Sequence, residues 1–107
     1  MAGFTLAARN KQRDATNGRI SVIKLFDDAG TARYTQTIQT KSTVDGQINI
    51  LQSLLASEGN GYALTRLQII NTDSSVEVDT AISPALDKRT TSPYYNVAVN
   101  FTISLRF

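Results

Sequence analysis

The side chains that most enzymes use as nucleophiles, bases or metal ligands are scarce in this sequence. The absence of cysteine and histidine excludes thiol nucleophiles, Ser-His-Asp triads and ordinary structural zinc sites. Two acid pairs remain, Asp27/Asp28 beside a predicted turn and Glu77/Asp79 on the polar face of a predicted strand. Neither pattern implies an apolar pocket that would tune a carboxylate for acid–base work. We therefore expect a protein that is not an enzyme.

Binding sites for cofactors and small molecules are not predicted either. Gly59-Asn60-Gly61 is the one glycine-rich segment, but it follows a predicted helix, whereas a phosphate loop precedes one. The acids are scattered, and no calcium loop of the EF-hand type occurs. We expect no cofactor, no metal and no small-molecule substrate.

Basic residues are concentrated in the N-terminal part of the chain. The net charge is +2, with seven basic and three acidic residues in 1–41 and four basic and six acidic residues in 42–107. This asymmetry fits an anionic partner, a head-to-tail contact between copies, or simply a solvated surface.

The best candidates for contact with nucleic acid are Arg9, Lys11 and Arg13. In an extended segment they would share one face at intervals of about 6.6–6.8 Å, close to a phosphate repeat. Aromatic residues make up only 7%, so the target would be the phosphate backbone and not stacked bases. A flexible polar loop is the competing interpretation. The full candidate set is Arg9, Lys11, Arg13, Arg33, Lys41 and Arg66.

The pattern of the first forty residues predicts three strands. Residues 4–9 alternate weakly and predict an extended segment, followed by a turn at Asn17-Gly18. Residues 19–27 are apolar on both faces and predict a central strand. After a turn at residues 28–30, residues 32–40 predict its partner.

One helix is predicted, over residues 44–58, and we expect it to lie across a sheet. Ser42 or Thr43 can cap it, and Gly59 can end it. Its apolar stripe, at helical spacing, is Val44, Ile48, Leu51, Leu54 and Leu55.

The remaining residues predict three more strands. Residues 62–71 and 76–82 form an antiparallel pair about a turn at 72–74, and 83–93 form a long polar loop that is a contact candidate. The clearest pattern covers residues 94–107, where every second residue is apolar, which predicts a long strand buried on one face. Its apolar positions are Tyr95, Val97, Val99, Phe101, Ile103, Leu105 and Phe107.

The predicted fold is α+β and forms a single domain over residues 1–107. It is a mostly antiparallel sheet of about six strands with one amphipathic helix packed on one face, in the order β-β-β-α-β-β-β. No apolar run approaches the ~20 residues of a membrane helix, and no signal-peptide pattern is present. We expect a virion or cytoplasmic location and no membrane partner.

Three functions are compatible with these patterns, and no family is identified. The favoured one is a self-assembling structural subunit, such as a phage or virus coat, capsid or tail component, whose partners are copies of itself. The alternatives are a nucleic-acid-binding module that contacts phosphates and an accessory protein that binds a partner by strand addition. The candidate subunit contacts are Phe4, Leu6, Leu86, Tyr94, Tyr95, Leu105 and Phe107.

Overall fold

The computed structural model describes residues 3–107, which form one helix and seven strands. The helix α1 spans Leu6–Arg19. The strands are β1 Ile20–Asp27, β2 Ala32–Thr37, β3 Thr40–Val44, β4 Gln47–Leu54, β5 Ala63–Asn71, β6 Val76–Asp87 and β7 Val99–Arg106. The predicted α+β class is confirmed, but the strands number seven and the helix precedes all of them.

Two antiparallel sheets pack face to face. The larger sheet has the strand order β2-β1-β5-β6, and the smaller sheet has the order β3-β4-β7. Their facing side chains form one core, to which β4 contributes Ile48, Ile50 and Leu54, each fully buried. The larger sheet supplies the rest of the core: Ile20, Ile23, Leu25, Tyr34, Leu64, Leu67 and Ile69.

The N-terminal segment is helical, so the predicted strand at residues 4–9 and the predicted turn at Asn17-Gly18 are wrong. The Thr5 hydroxyl caps α1 by accepting a hydrogen bond from the Ala8 N–H at 3.1 Å. The next residues include alanine, leucine, arginine, lysine and glutamine, which favour helix. Asn17 and Gly18 lie in the last turn of α1, just before the β-branched start of β1.

A β-hairpin replaces the predicted helix at residues 44–58. Asp45 and Gly46 form the two-residue connection between β3 and β4, and Gly46 has φ of 67°. An Asp-Gly pair of this kind is a strong hairpin signal because the turn requires positive φ. Burial in β4 alternates with a period of two, so that Leu51 of the predicted stripe is 53% exposed.

Several other predicted elements are confirmed with shifted ends. The strand predicted at residues 19–27 is β1, and that at 62–71 is β5. The loop predicted at 83–93 begins later, because β6 continues to Asp87, which pairs with Ala63. The last strand begins at Val99 and not at residue 94, and Asn96, at a positive φ of 55°, interrupts the extended chain before it.

The connection between β6 and β7 is organised around Lys88, whose side chain is fully buried. Its ammonium group donates to the backbone carbonyls of Leu55 at 3.3 Å, Ala56 at 3.0 Å and Val97 at 3.1 Å. These acceptors satisfy all three N–H groups, so the buried charge ties two irregular segments together. Within residues 3–107 no helix is long and apolar enough to cross a membrane.

Candidate assembly surface

Strand β6 lies at an edge of the larger sheet, and strand β7 lies at an edge of the smaller sheet. β6 has twelve residues and β7 has eight, and none of these residues is fully buried. By contrast, β1, β4 and β5 each have several buried positions. The core is therefore open along the side where these two edges meet.

An apolar groove of about 390 Å³ runs between the two edges. Core residues Leu25 and Leu67 form part of its floor, which shows that the groove reaches the interior. No charged side chain lines it. The lining residues are Leu25, Leu67, Thr80, Ala81, Ile82, Leu86, Val99, Phe101, Thr102, Ile103 and Ser104.

The odd-numbered side chains of β7 face this incomplete core. Burial alternates along the strand, with the odd positions partly buried and the even positions exposed. This confirms the predicted one-faced pattern. Ile103 and Leu105 lie beside Ile50 and Ile48 in the same sheet, however, and not against a helix.

The backbone of β7 has a free side as well. The Phe107 N–H donates to the Gly46 carbonyl at 2.8 Å, so the odd-numbered residues direct their backbone groups towards β4. Because hydrogen-bonded and non-bonded positions alternate along an antiparallel strand, the even-numbered residues direct theirs away from it. Among residues 3–107 no strand pairs with that side.

The edge of β6 is less open to pairing than the edge of β7. Pro84 lacks an N–H, and the strand carries acids that are held by arginines. Arg19 Nε donates to Glu77 at 2.9 Å, and Arg66 Nε donates to Asp79 at 2.6 Å. The guanidinium bonds lower the pKa of both carboxyl groups, so both stay ionised in these ion pairs at neutral pH.

The helix contacts the hairpin that β3 and β4 form in the smaller sheet. Arg13 of α1 donates to the Val44 carbonyl at 2.7 Å, and the Gly46 N–H donates to the Asn10 side chain at 2.8 Å. Lys41 of β3 also donates to the Asn17 carbonyl of the helix. These polar contacts fix α1 against the hairpin of β3 and β4.

The predicted subunit contacts fall into four separate places. Phe4 and Leu6 are exposed at the start of α1, and Tyr94 and Tyr95 are exposed in the loop before β7. Leu86 lines the groove. Leu105 and Phe107 line a smaller cavity of about 180 Å³ together with Thr16, Glu77, Val78 and Arg106.

The predicted nucleic-acid residues do not form a single row of cations. Because Arg9, Lys11 and Arg13 lie on a helix, they do not have the strand spacing that the prediction assumed. Arg9 and Arg13 are partly buried on one side of α1, whereas Lys11 is exposed. The remaining candidates lie elsewhere, with Lys41 on β3 and the other two on the larger sheet.

Three of these arginines already have acidic partners. Arg13 pairs with Asp14 at 2.8 Å. Arg66 pairs with Asp79, which raises the pKa of the guanidinium. Arg33 pairs with Asp27 at 2.8 Å and lies 3.7 Å from the centre of the Tyr62 ring. These partners reduce the positive potential that a phosphate would meet.

Sequence reasoning missed the groove, although the chain contains a signal for it. Residues 90–105 form an uncharged run of sixteen positions that includes β7 up to Leu105. Edge strands usually carry charges or proline that prevent pairing, so an uncharged edge strand indicates a possible contact surface.

No cluster of three or more potential metal ligands occurs in the described part of the chain. Comparisons with protein-family models, with curated proteins and with solved structures gave no match for this chain.

Proposed function

We propose that this chain is a self-assembling structural subunit, such as a coat, capsid or tail component of a phage or virus. The observation that carries the proposal is the open side of the sandwich, where β6 and β7 have no fully buried residue and frame an apolar groove. As such a subunit the protein would be located in the virion, or in the cytoplasm before assembly.

The groove favours association because its apolar lining is in contact with water in the isolated chain. Covering apolar surface contributes about 25 cal/mol per Å², and a lining without charged side chains imposes no charge-desolvation cost on an apolar partner. Phe101 and Ile103 are only partly buried and would gain most from such a contact.

The exposed apolar residues outside the groove support contacts with more than one neighbour. Phe4 is 72% exposed at the start of α1, and Tyr94 is 51% exposed in the loop before β7. Contiguous exposed apolar residues often mark interaction sites. Separate surfaces of this kind fit a particle in which each copy contacts several others.

The oligomeric state tests this proposal. We expect light scattering after size-exclusion chromatography to give a mass that is a multiple of 11.7 kDa, and negative-stain microscopy to show regular particles. A chain that remains monomeric across the accessible concentration range, with its fold intact by circular dichroism, would rule the proposal out.

A pair of charge substitutions tests the role of the groove. Ile82→Glu places a carboxylate in the groove lining, and Thr35→Glu places one on the exposed part of β2. We expect the first to abolish assembly and the second to leave it unchanged. Equal assembly of the two folded variants would show that the groove is not a subunit contact.

Contact with nucleic acid is the second candidate function, and α1 is the observation in its favour. The helix contains four basic residues and one acid, and within residues 3–107 neither Arg9 nor Lys11 forms an ion pair. Coat proteins can combine both roles, since cations on the inner surface would neutralise a packaged genome.

The absorbance ratio at 260 and 280 nm of purified particles, together with the salt dependence of binding, tests the second candidate. Replacing Arg9 and Lys11, which form no ion pair within residues 3–107, with alanine should weaken binding and reduce the salt slope by about one unit for each lost phosphate contact. Arg66→Ala is the control, because this arginine is paired with Asp79. Unchanged affinity in the double variant would exclude these two residues as the contact.

A monomer that instead binds an unrelated extended peptide would favour an accessory role by strand addition.

A further inference from the structure

The uncharged edge of β7 has the properties of a self-complementary interface. We propose that two copies of this chain pair antiparallel through β7, with a twofold axis at Ile103, so that the two smaller sheets become one six-stranded sheet. The inference rests on the proposed function and adds the partner and the register of one contact. The occupant of the edge is a second copy of the chain.

The direction of the backbone groups limits the possible registers. The odd-numbered residues of β7 bond towards β4, as the bond from Phe107 to Gly46 shows. A second strand must therefore pair even-numbered residues with even-numbered residues. Any register that opposes even and odd positions would leave carbonyl groups facing carbonyl groups, which costs the hydrogen bonds of the new ladder.

The length of the strand then selects the position of the axis. Strand β7 spans Val99–Arg106, and its hydrogen bonding to the neighbouring hairpin continues to the Phe107 N–H. An axis at Ile103 places Val99 opposite Phe107 of the second copy, so every pair falls between Val99 and this last hydrogen-bonded residue. The hydrogen-bonded pairs would be Thr102 with Ser104 and Asn100 with Arg106. An axis at Thr102 would instead oppose Arg106 to residue 98, which lies outside the strand.

The charges of β7 permit this register, whereas the charges of β6 disfavour the pairing of two β6 edges. Arg106 is the one charged residue of β7, and it would face the neutral Asn100. Two copies of β6 would bring together three ion pairs, those of Glu77, Asp79 and Asp87, and desolvating paired charges costs free energy. Pro84 removes a further ladder donor from that edge.

The same pairing would extend the incomplete core. Directly opposed residues on neighbouring strands share one face of a sheet, so the odd-numbered side chains of the second β7 would lie on the groove side. Ile103 would meet Ile103 of the second copy, and Phe101 would meet Leu105. Each copy would thereby add apolar cover at the mouth of the other copy's groove, which Phe101 and Ile103 line.

Disulfide trapping tests the pairing cleanly because the chain has no cysteine. Thr102→Cys and Ser104→Cys chains, carrying tags of different size, are co-expressed and oxidised. Opposed residues have Cα atoms about 5.5 Å apart, within the range of a disulfide. Asn100→Cys alone is the control, since its two copies would be offset by six residues, about 20 Å. All three positions are exposed, and circular dichroism checks that the fold is kept.

We expect the mixed pair to give about tenfold more cross-linked product than the Asn100→Cys control, since only the mixed pair meets the disulfide geometry. Cross-linking of the control as strongly as the mixed pair would overturn the register. Assembly detected by light scattering without a mixed cross-link would overturn this interface and leave the proposed function standing. A monomer in both measurements would overturn both.

Discussion

The amide of Gln52 and the hydroxyl of Tyr34 join the two sheets inside the core. Gln52 Nε2 donates to the Tyr34 hydroxyl at 2.9 Å, and that hydroxyl donates to the Ser53 carbonyl at 3.1 Å. The Gln39 N–H donates to the Gln52 side-chain oxygen at 2.8 Å. Gln52 is fully buried, and burial raises the pKa of Tyr34, so the hydroxyl remains a donor at neutral pH. A satisfied polar network of this kind fixes how the sheets are aligned.

Tyr34→Phe should lower the free energy of unfolding by about 1–3 kcal/mol, because the buried Gln52 amide loses an acceptor and the Ser53 carbonyl loses a donor. Urea unfolding followed by circular dichroism measures the change. Tyr94→Phe is the matched control, since Tyr94 is 51% exposed. If both variants unfolded at the same urea concentration, water would be replacing the lost hydroxyl.

Removing the buried ammonium group of Lys88 should destabilise the loops on both sides of it. Lys88→Met leaves the carbonyls of Leu55, Ala56 and Val97 without their donor, and we expect a loss of about 2–4 kcal/mol. Burial lowers the pKa of Lys88, and the negative charge of Glu58 acts in the opposite direction.

The neighbouring Arg89→Met is the control for Lys88→Met. Arg89 forms a surface pair with Asp87, and such pairs contribute little to stability, so its unfolding midpoint should stay close to that of the unaltered chain. A Lys88→Met protein as stable as the Arg89→Met protein would show that methionine packs well enough to compensate for the lost bonds.

Acid should destabilise the fold through the carboxylates held by arginine. The Arg33 guanidinium and the Thr31 N–H lower the pKa of Asp27 in the folded chain, and Arg19 lowers that of Glu77. A carboxyl group with a lowered folded pKa stabilises the fold above its unfolded pKa of about 3.9 for Asp. That contribution is lost as the pH falls through the folded value.

Asp27→Asn should therefore flatten the decline of the unfolding temperature below about pH 4. The variant is expected to be less stable than the unaltered chain at pH 7 and to approach it at low pH. Asp28→Asn, at an exposed neighbouring position, removes the same charge without removing the bond to Arg33. A parallel decline in the Asp27→Asn and unaltered proteins would mean that the acid transition arises at other carboxylates.

The fold class and several strands could be predicted because hydrophobic alternation is local. The helix was placed wrongly because Val44, Ile48, Leu51 and Leu55 also fit helical spacing, and the Asp45-Gly46 turn decides against it. Burial of Lys88 depends on carbonyls of residues up to 33 positions away in the chain, which no local pattern records. The groove depends on which strands lie at the sheet edges. The hydrophobic periodicity along the chain does not specify the order of strands in a sheet.

Glycine at position 59 is required both for its backbone conformation and for space. Gly59 has φ of 72°, and a Cβ there would approach Leu64 Cδ1 at 3.1 Å. Gly30 also has positive φ, at 82°, but a Cβ there meets nothing within 4 Å. Gly30→Ala should lose about 1–2 kcal/mol of stability from conformation alone. Gly59→Ala should lose about 1–3 kcal/mol more, because Leu64 is fully buried and packed. Equal urea midpoints would show that Leu64 moves aside without cost.

We expect the exposed residues at the start of α1 to form a second contact, made after two copies have paired through β7. Phe4 and Leu6 are 72% and 42% exposed and lie outside the groove. Phe4 directly precedes the N-cap residue Thr5, and Leu6 is the first residue of α1. Replacing both with serine should leave the fold and dimers intact but reduce the fraction of large particles about tenfold or more, because burying two such side chains contributes at least about 1.4 kcal/mol. Mass photometry counts both species. The control Gln12→Ser changes an exposed polar residue of the same helix. An unchanged particle fraction would exclude this end of the helix as a contact, and a loss of dimers would place it in the first pairing step instead.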